Sequence, residues 1–154
     1  MLTRRRKLSR MDGLIEQRSV SLARALELIE RVRAEAARAE LALAVCVVDP
    51  GGHTVASQRM DGAALGAMRL AAGKAYTAVL WGMPSGELNA STQPGGADWG
   101  FNTTDERIVV YAGGLPLFAD GQLVGGIGAS GGTADQDEVC VTAAARSFGF
   151  AAGA

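Results

Sequence analysis

The sequence predicts an α+β domain in which helices cover both faces of a mostly antiparallel sheet, and three observations lead there. Two glycine-bearing turns, Pro50-Gly51-Gly52 and Asp120-Gly121, each separate a pair of apolar runs and mark hairpins. Apolar residues recur at helical spacing between Ser19 and Glu40. A nearly continuous apolar stretch from Asp61 to Trp81 and an acidic helix start at residues 135–138 add two more helices. The resulting order is helix, strand, strand, helix, loop, three strands and a helix, which makes a sheet of five strands.

Each element has its own signal. Met1 to Met11, with Arg4-Arg5-Arg6-Lys7, reads as a frayed basic arm extending to residue 18, so the domain is residues 19–154. Ser19 is the expected cap of the first helix. Leu22, Leu26 and Ile29, with Leu28 and Val32 beside them, supply its apolar stripe, and charges fill the other face. Leu41 to Asp49 is a valine-rich run without alternation, as in a strand buried on both faces, and His53 to Arg59 returns as its partner.

The helix over 61–81 has hardly any polar face, which places it between the sheet and either a further layer or a second subunit. Gly82 to Asn102 is a long loop with a short helix at Ser85 to Ala90. Trp81, Trp99 and Phe101 flank it as a lid, a pocket wall or plain core packing. Arg107 to Ala112 is the next strand, and Leu115 to Ala119 pairs with Gln122 to Ala129. Glycines at 125, 126, 128, 131 and 132 weaken a strand unless another backbone or a ligand comes close. Asp135, Gln136, Asp137 and Glu138 then load the first turn of a helix that runs to Phe148, where carboxylates face the positive end of the dipole.

A chain of 154 residues, 48% apolar and 20% charged, suits one globular domain. Its formal net charge of −1 offers no general attraction for nucleic acid or an anionic membrane. Cys46 and Cys140 lie far apart with no short-spaced motif, as buried thiols of a reducing compartment do. The residues after Lys7 are polar rather than the apolar core of a signal peptide, and no apolar run approaches the ~20 residues of a membrane span. A cytoplasmic protein is expected.

The chemistry-bearing residues are few. No glycine-rich run is followed by Lys-Ser or Lys-Thr, so a phosphate loop of the Walker kind is absent. His53 is the single histidine, which argues against a Ser/His/Asp triad and leaves it as a surface residue, a base or a metal ligand. Lys74, inside the apolar helix, must snorkel to water, pair with a carboxylate, or carry a lowered pKa suited to catalysis. Arg59 and Asp61 before that helix and Arg69 within it are placed to bind an anion. An enzyme built from this set uses Lys74 or His53 with Asp137 as acid and base, and Arg59 or Arg107 to hold an anion. Gly114 and Ser130 would touch the ligand, while the N–H groups of Gly131 and Gly132 stabilise an enolate-like oxygen.

VVDPGGH at 47–53, RMDGA at 59–63, GKAYTA at 73–78, GGLPL at 113–117 and DGQLVGGIGASGGTADQDE at 120–138 together resemble the GlcG/HbpS family. That family includes the C-terminal domain of PduO-type adenosyltransferases. The resemblance runs from Ser19 to Phe148 and implies a profilin-like three-layer α/β/α fold with a five-stranded sheet, assembled as a homo-oligomer. It also implies a small-molecule ligand, with heme as the candidate cofactor. His53 is then the obvious iron donor, with Met60, Met68 and Met83 as alternatives. The competing readings are an isomerase, lyase or hydrolase acting on a small oxygenated or carboxylated metabolite, and a non-catalytic assembly subunit. Exported heme sensors of the family carry the apolar leader core that Met1 to Met11 lacks.

Overall fold

The computed structural model describes residues 13–151 and 153, so the basic run Arg4 to Lys7 lies outside the described residues. Helix α1 (Leu22–Arg38) is capped by Ser21, whose side chain accepts a hydrogen bond from the Arg24 backbone N–H. Ser19 is not the cap because the Val20 N–H donates to the Val124 carbonyl at 2.7 Å, which keeps the chain extended up to that point. The buried stripe is Ala25, Leu28, Ile29, Val32 and Ala36. Leu22 and Leu26 are 57% and 44% exposed, so the face is rotated from the one that leucine spacing suggests.

Strands β1 (Ala44–Val48), β2 (Thr54–Arg59), β3 (Gly114–Ala119) and β4 (Gln122–Ser130) form one antiparallel sheet in the order β2-β1-β4-β3. β1 is buried throughout, and its alternate residues feed two cores. Val45 and Val47 meet α1 and the last helix, α3 (Ala134–Ser147), together with Leu117, Ile127 and Ala129. Ala44, Cys46 and Val48 meet α2 (Ala67–Trp81) through Ala67, Ala71, Ala75 and Val79. The result is three layers: α1 and α3, the sheet, and α2. Thr133 and Gln136 close a capping box at the start of α3, with Asp135 and Asp137 in its first turn. Cys46 and Cys140 are buried in different cores, and burial pushes both thiols up, away from reactive thiolate.

Among the described residues the sheet has four strands rather than five. The expected strand at Arg107 to Ala112 runs outside it along α2, and side chains take over the hydrogen bonding a ladder would provide. The Val109 N–H donates to Thr77 Oγ1 at 2.9 Å, and the Tyr111 carbonyl accepts from Ser85 Oγ at 2.6 Å. Ile108 and Val110 are buried against Tyr76 of α2. This segment covers the outer side of α2, which accounts for much of the helix's apolar composition within a single chain. The helix begins at Ala67 rather than Asp61, because Gly62 turns the chain with φ +84° and Gly66 occupies the cap. The expected short helix after Pro84 is a single 3-10 turn, Ser85–Leu88, and a second such turn spans Phe101–Thr103.

The glycines of β4 are explained by the approach of another backbone. A Cβ on Gly128 would collide with the Ala71 carbonyl and lie 2.7 Å from the Ala75 nitrogen; one on Gly126 would lie 2.8 Å from the Ala75 carbonyl. α2 therefore sits in a trough that the missing side chains leave. Among the described residues no helix is long and apolar enough to cross a membrane.

Gly128→Ala should displace α2 and lower the free energy of urea unfolding by about 1–3 kcal/mol, the usual range for overpacking. Gly66→Ala, where nothing lies within 4 Å and φ is −74°, should leave the unfolding free energy within about 0.5 kcal/mol, because the smaller unfolded-state entropy offsets alanine's poorer performance at a helix cap.

Candidate functional site

Two side-chain arrangements stand out, and α2 supplies both. The first is a buried ion pair. Lys74 Nζ donates to Asp137 Oδ2 at 2.7 Å and to the Ala129 carbonyl at 3.0 Å, with side chains 3% and 2% exposed. Asp137 Oδ1 accepts from the Gly132 N–H at 2.9 Å. Lys74 belongs to the helix on one face of the sheet and Asp137 to a helix on the other, and they meet beside Gly113. A Cβ there would lie 2.8 Å from Asp137 Cβ and 2.9 Å from Lys74 Nζ. Of the three fates open to Lys74, the structure realises pairing.

Several expected site residues gather around this pair. The Gly114 N–H donates to Ser85 Oγ at 3.0 Å, and its α-carbon packs on the Lys74 carbonyl. Ser130 is buried beside Ala129, and Gly131 packs against the Ala42 carbonyl with φ +143°. The Gly132 N–H is already committed to Asp137.

The second arrangement borders a cleft of about 490 Å³ between the β1–β2 hairpin, α2 and residues 106–109. Val48, Gly52, Thr54, Leu70, Ala72, Tyr76 and Val109 line it, with the charged Arg69, Glu106 and Arg107. Arg107 stacks on the Tyr76 ring, 4.1 Å from its centroid, and forks onto Asp105 through Nε at 3.0 Å and a terminal nitrogen at 2.6 Å. The Tyr76 hydroxyl donates to the same carboxylate at 2.8 Å. Arg107's side-chain and backbone N–H groups, with the Tyr76 hydroxyl, hold the Asp105 carboxyl well below the usual carboxylate range. Burial and the Asp105 bond push Tyr76 up, so it remains a phenol that donates. Arg69 is held more loosely, 4.0 Å from Glu106 and largely exposed.

The remaining expected residues lie in different places. His53 stands between the lining residues Gly52 and Thr54 with its ring 82% exposed, and Nδ1 is 3.4 Å from Asp49 Oδ1. That carboxylate organises the turn by accepting from the Gly51 and His53 N–H groups at 2.8 and 3.0 Å. Burial would raise Asp49, but those backbone donors outweigh it and hold it low. Arg59 and Asp61 are exposed at the end of β2 remote from this turn and do not reach the cleft lining. Met60 Sδ accepts from the Leu43 N–H at 3.4 Å, and Met68 packs on the α2 core; neither lines the cleft, nor does Met83.

Tyr76 and Asp105 are the members that sequence reasoning passed over. Tyr76 is two residues from Lys74, about 200° around a helix, so a lysine facing the sheet puts the tyrosine on the opposite side. Asp105-Glu106-Arg107 carries an acid two residues from a base, the spacing at which Arg107 folds back onto Asp105.

Lys74→Met or Asp137→Asn should each lower stability by about 3–5 kcal/mol, because the surviving partner is left buried without its counterpart. The double replacement Lys74→Met with Asp137→Leu should recover much of the loss in chemical denaturation. Asp105 has a folded pKa below its unfolded value near 3.8, so its contribution is complete above that pH and is lost as pH falls below it. Urea midpoints measured from pH 6 down to pH 2.5 should fall less steeply in Asp105→Asn than in the wild type.

Similarity to known proteins agrees with this architecture. The model of a family described as haem degrading protein HbpS-like matches residues 20–146. An uncharacterized 15.0 kDa protein of the dhaT-dhaS intergenic region of Citrobacter freundii is 35% identical over 131 residues, covering 84% of this chain and 92% of that one. The corrinoid adenosyltransferase PduO of the same organism is 36% identical over 115 residues, 72% of this chain but only 34% of PduO. Among solved structures, the Klebsiella pneumoniae protein ORFY superposes with a TM-score of 0.87 at 32% identity, covering 90% of this chain and 96% of ORFY. A structure described as a PduOC:heme complex superposes with a TM-score of 0.85 at 30% identity, covering 88% and 99%. The match over residues 20–146 and the shared three-helix, antiparallel-sheet fold place this chain in the HbpS-like family.

Proposed function

We propose that the protein binds a small, partly apolar, carboxylate-bearing molecule in the cleft beside Tyr76, with heme as the leading ligand. The observation that carries this reading is the combination of apolar walls with two exposed guanidinium groups, Arg69 and Arg107, around about 490 Å³ of space. That volume lies within the roughly 300–1,000 Å³ of small-molecule sites. Kinship with a solved heme complex supports heme in particular.

The residues fit heme in kind. Val48, Leu70, Ala72 and Val109 would face the macrocycle, and Arg69 and Arg107 its carboxylates. His53, beside Gly52 and with its ring exposed, would be the iron donor, its Nδ1 side facing Asp49 and leaving Nε2 outward. Heme would supply iron-centred redox chemistry when bound. The protein's own part is to hold the carboxylates, exclude water from one side of the ring and present the imidazole. The acid/base alternative has no such observation behind it, since Lys74 and Asp137 are held by each other and by backbone groups.

Hemin titration in the presence of competing albumin tests the reading. The wild type should give a stoichiometric Soret band, His53→Ala should move it, and Arg69→Ala should weaken binding about tenfold through loss of one charge-assisted contact. Titrations that do not distinguish these variants from the wild type would place the ligand elsewhere.

A further inference from the structure

A second small site lies where α2 ends, and no lining residue of the heme cleft belongs to it. Trp81, the last residue of α2, meets Phe101 edge to face, with ring centroids 5.3 Å apart and planes at 63°. Together with Leu88 and Asp98 they border a pocket of about 230 Å³. The walls are anchored. Leu88 and Phe101 pack on the buried Tyr76, Ile108 and Val110 cluster. The Asp98 N–H donates to the Ser91 carbonyl at 2.9 Å, and the Asp98 carbonyl accepts from the Phe101 N–H at 2.9 Å, so one turn fixes acid and aromatic together. Trp81 is nevertheless 49% exposed. Asp98's carboxylate takes part in none of the ion pairs among the described residues.

We infer that this pocket binds a small organic cation, an alkylated ammonium group seated against the Trp81 and Phe101 rings with Asp98 as its counter-charge. Ring faces carry negative potential and attract a weakly hydrated cation, tryptophan most strongly. An alkylated ammonium also brings apolar methyl groups to Leu88, so both components of the lining are used. A neutral apolar occupant would gain nothing from the carboxylate beside it, and an anion would be repelled.

Choline and its neutral isostere 3,3-dimethylbutan-1-ol separate charge from shape. Trp81 and Trp99 are the only tryptophans, and Trp99 does not line the pocket, so a Trp99→Phe background lets emission report Trp81 alone. Choline should change that emission saturably below about 10 mM, and the isostere should bind at least about fivefold more weakly. Asp98→Asn, a change at an exposed side chain, should weaken choline about fivefold with the thermal midpoint retained. Phe101→Leu, which keeps apolar bulk but removes a ring face, should weaken it likewise. Equal response to the two compounds, no saturable response to choline, or a choline affinity untouched by Asp98→Asn would overturn the assignment. Hemin binding serves as the control: it should be unchanged in Asp98→Asn, so the outcome is independent of the cleft.

Discussion

The structure depends on a charge contact made through the sheet. Lys74 reaches from α2 and Asp137 from α3, and the two meet where Gly113 leaves room for them. A buried pair of this kind adds little net stability over apolar side chains of similar size, yet losing either partner strands a charge in the interior. Its geometric demands spread outward. Lys74 reaches Ala129 and Asp137 only with α2 pressed onto the strands, and that contact requires the bare α-carbons of Gly114, Gly126 and Gly128. The capping box and the Gly132 N–H then set Asp137 at the mouth of α3. Much of the glycine-rich character of the central hairpin follows from seating one helix.

The same helix divides its labour by face. Its sheet side carries the clamp and the small residues of the close contact; its outer side carries Tyr76, around which Asp105 and Arg107 fold. Fixing Lys74 therefore also fixes the wall of the cleft. Rigid placement of Tyr76 and its stacked guanidinium lets the cleft hold its shape without a ligand, the condition for a pre-formed binding site. Heme is the ligand we propose for that cleft, a reading supported by membership of the HbpS-like family and by likeness to a solved heme complex.

Much of this was legible in the residues. The hairpins, the three helices and the acidic opening of α3 follow from turn chemistry and periodicity, and the glycines of β4 announced a close approach. The limits are equally physical. Residues 107–112 have strand composition, but the Val109 N–H and the Tyr111 carbonyl are bonded by the hydroxyls of Thr77 and Ser85, and such side-chain substitution leaves no local mark. The stripe of α1 misled because leucine is not always inward; Ala25 and Ala36 are buried while Leu22 is exposed. Lys74 and Asp137 were each singled out from sequence, but their union needed the third dimension. Tyr76 and Asp105 were passed over because nothing in composition distinguishes a tyrosine that organises an arginine from one that fills a core.

The most direct test of the central claim is chemical-shift mapping on the labelled protein during titration with a diamagnetic gallium protoporphyrin. Binding in the cleft predicts that the largest amide shifts fall at Gly52, Thr54, Arg69, Tyr76, Arg107 and Val109, with the outer face of α3 and residues 85–101 little changed. Shifts concentrated on α3, or scattered evenly over the surface, would contradict it.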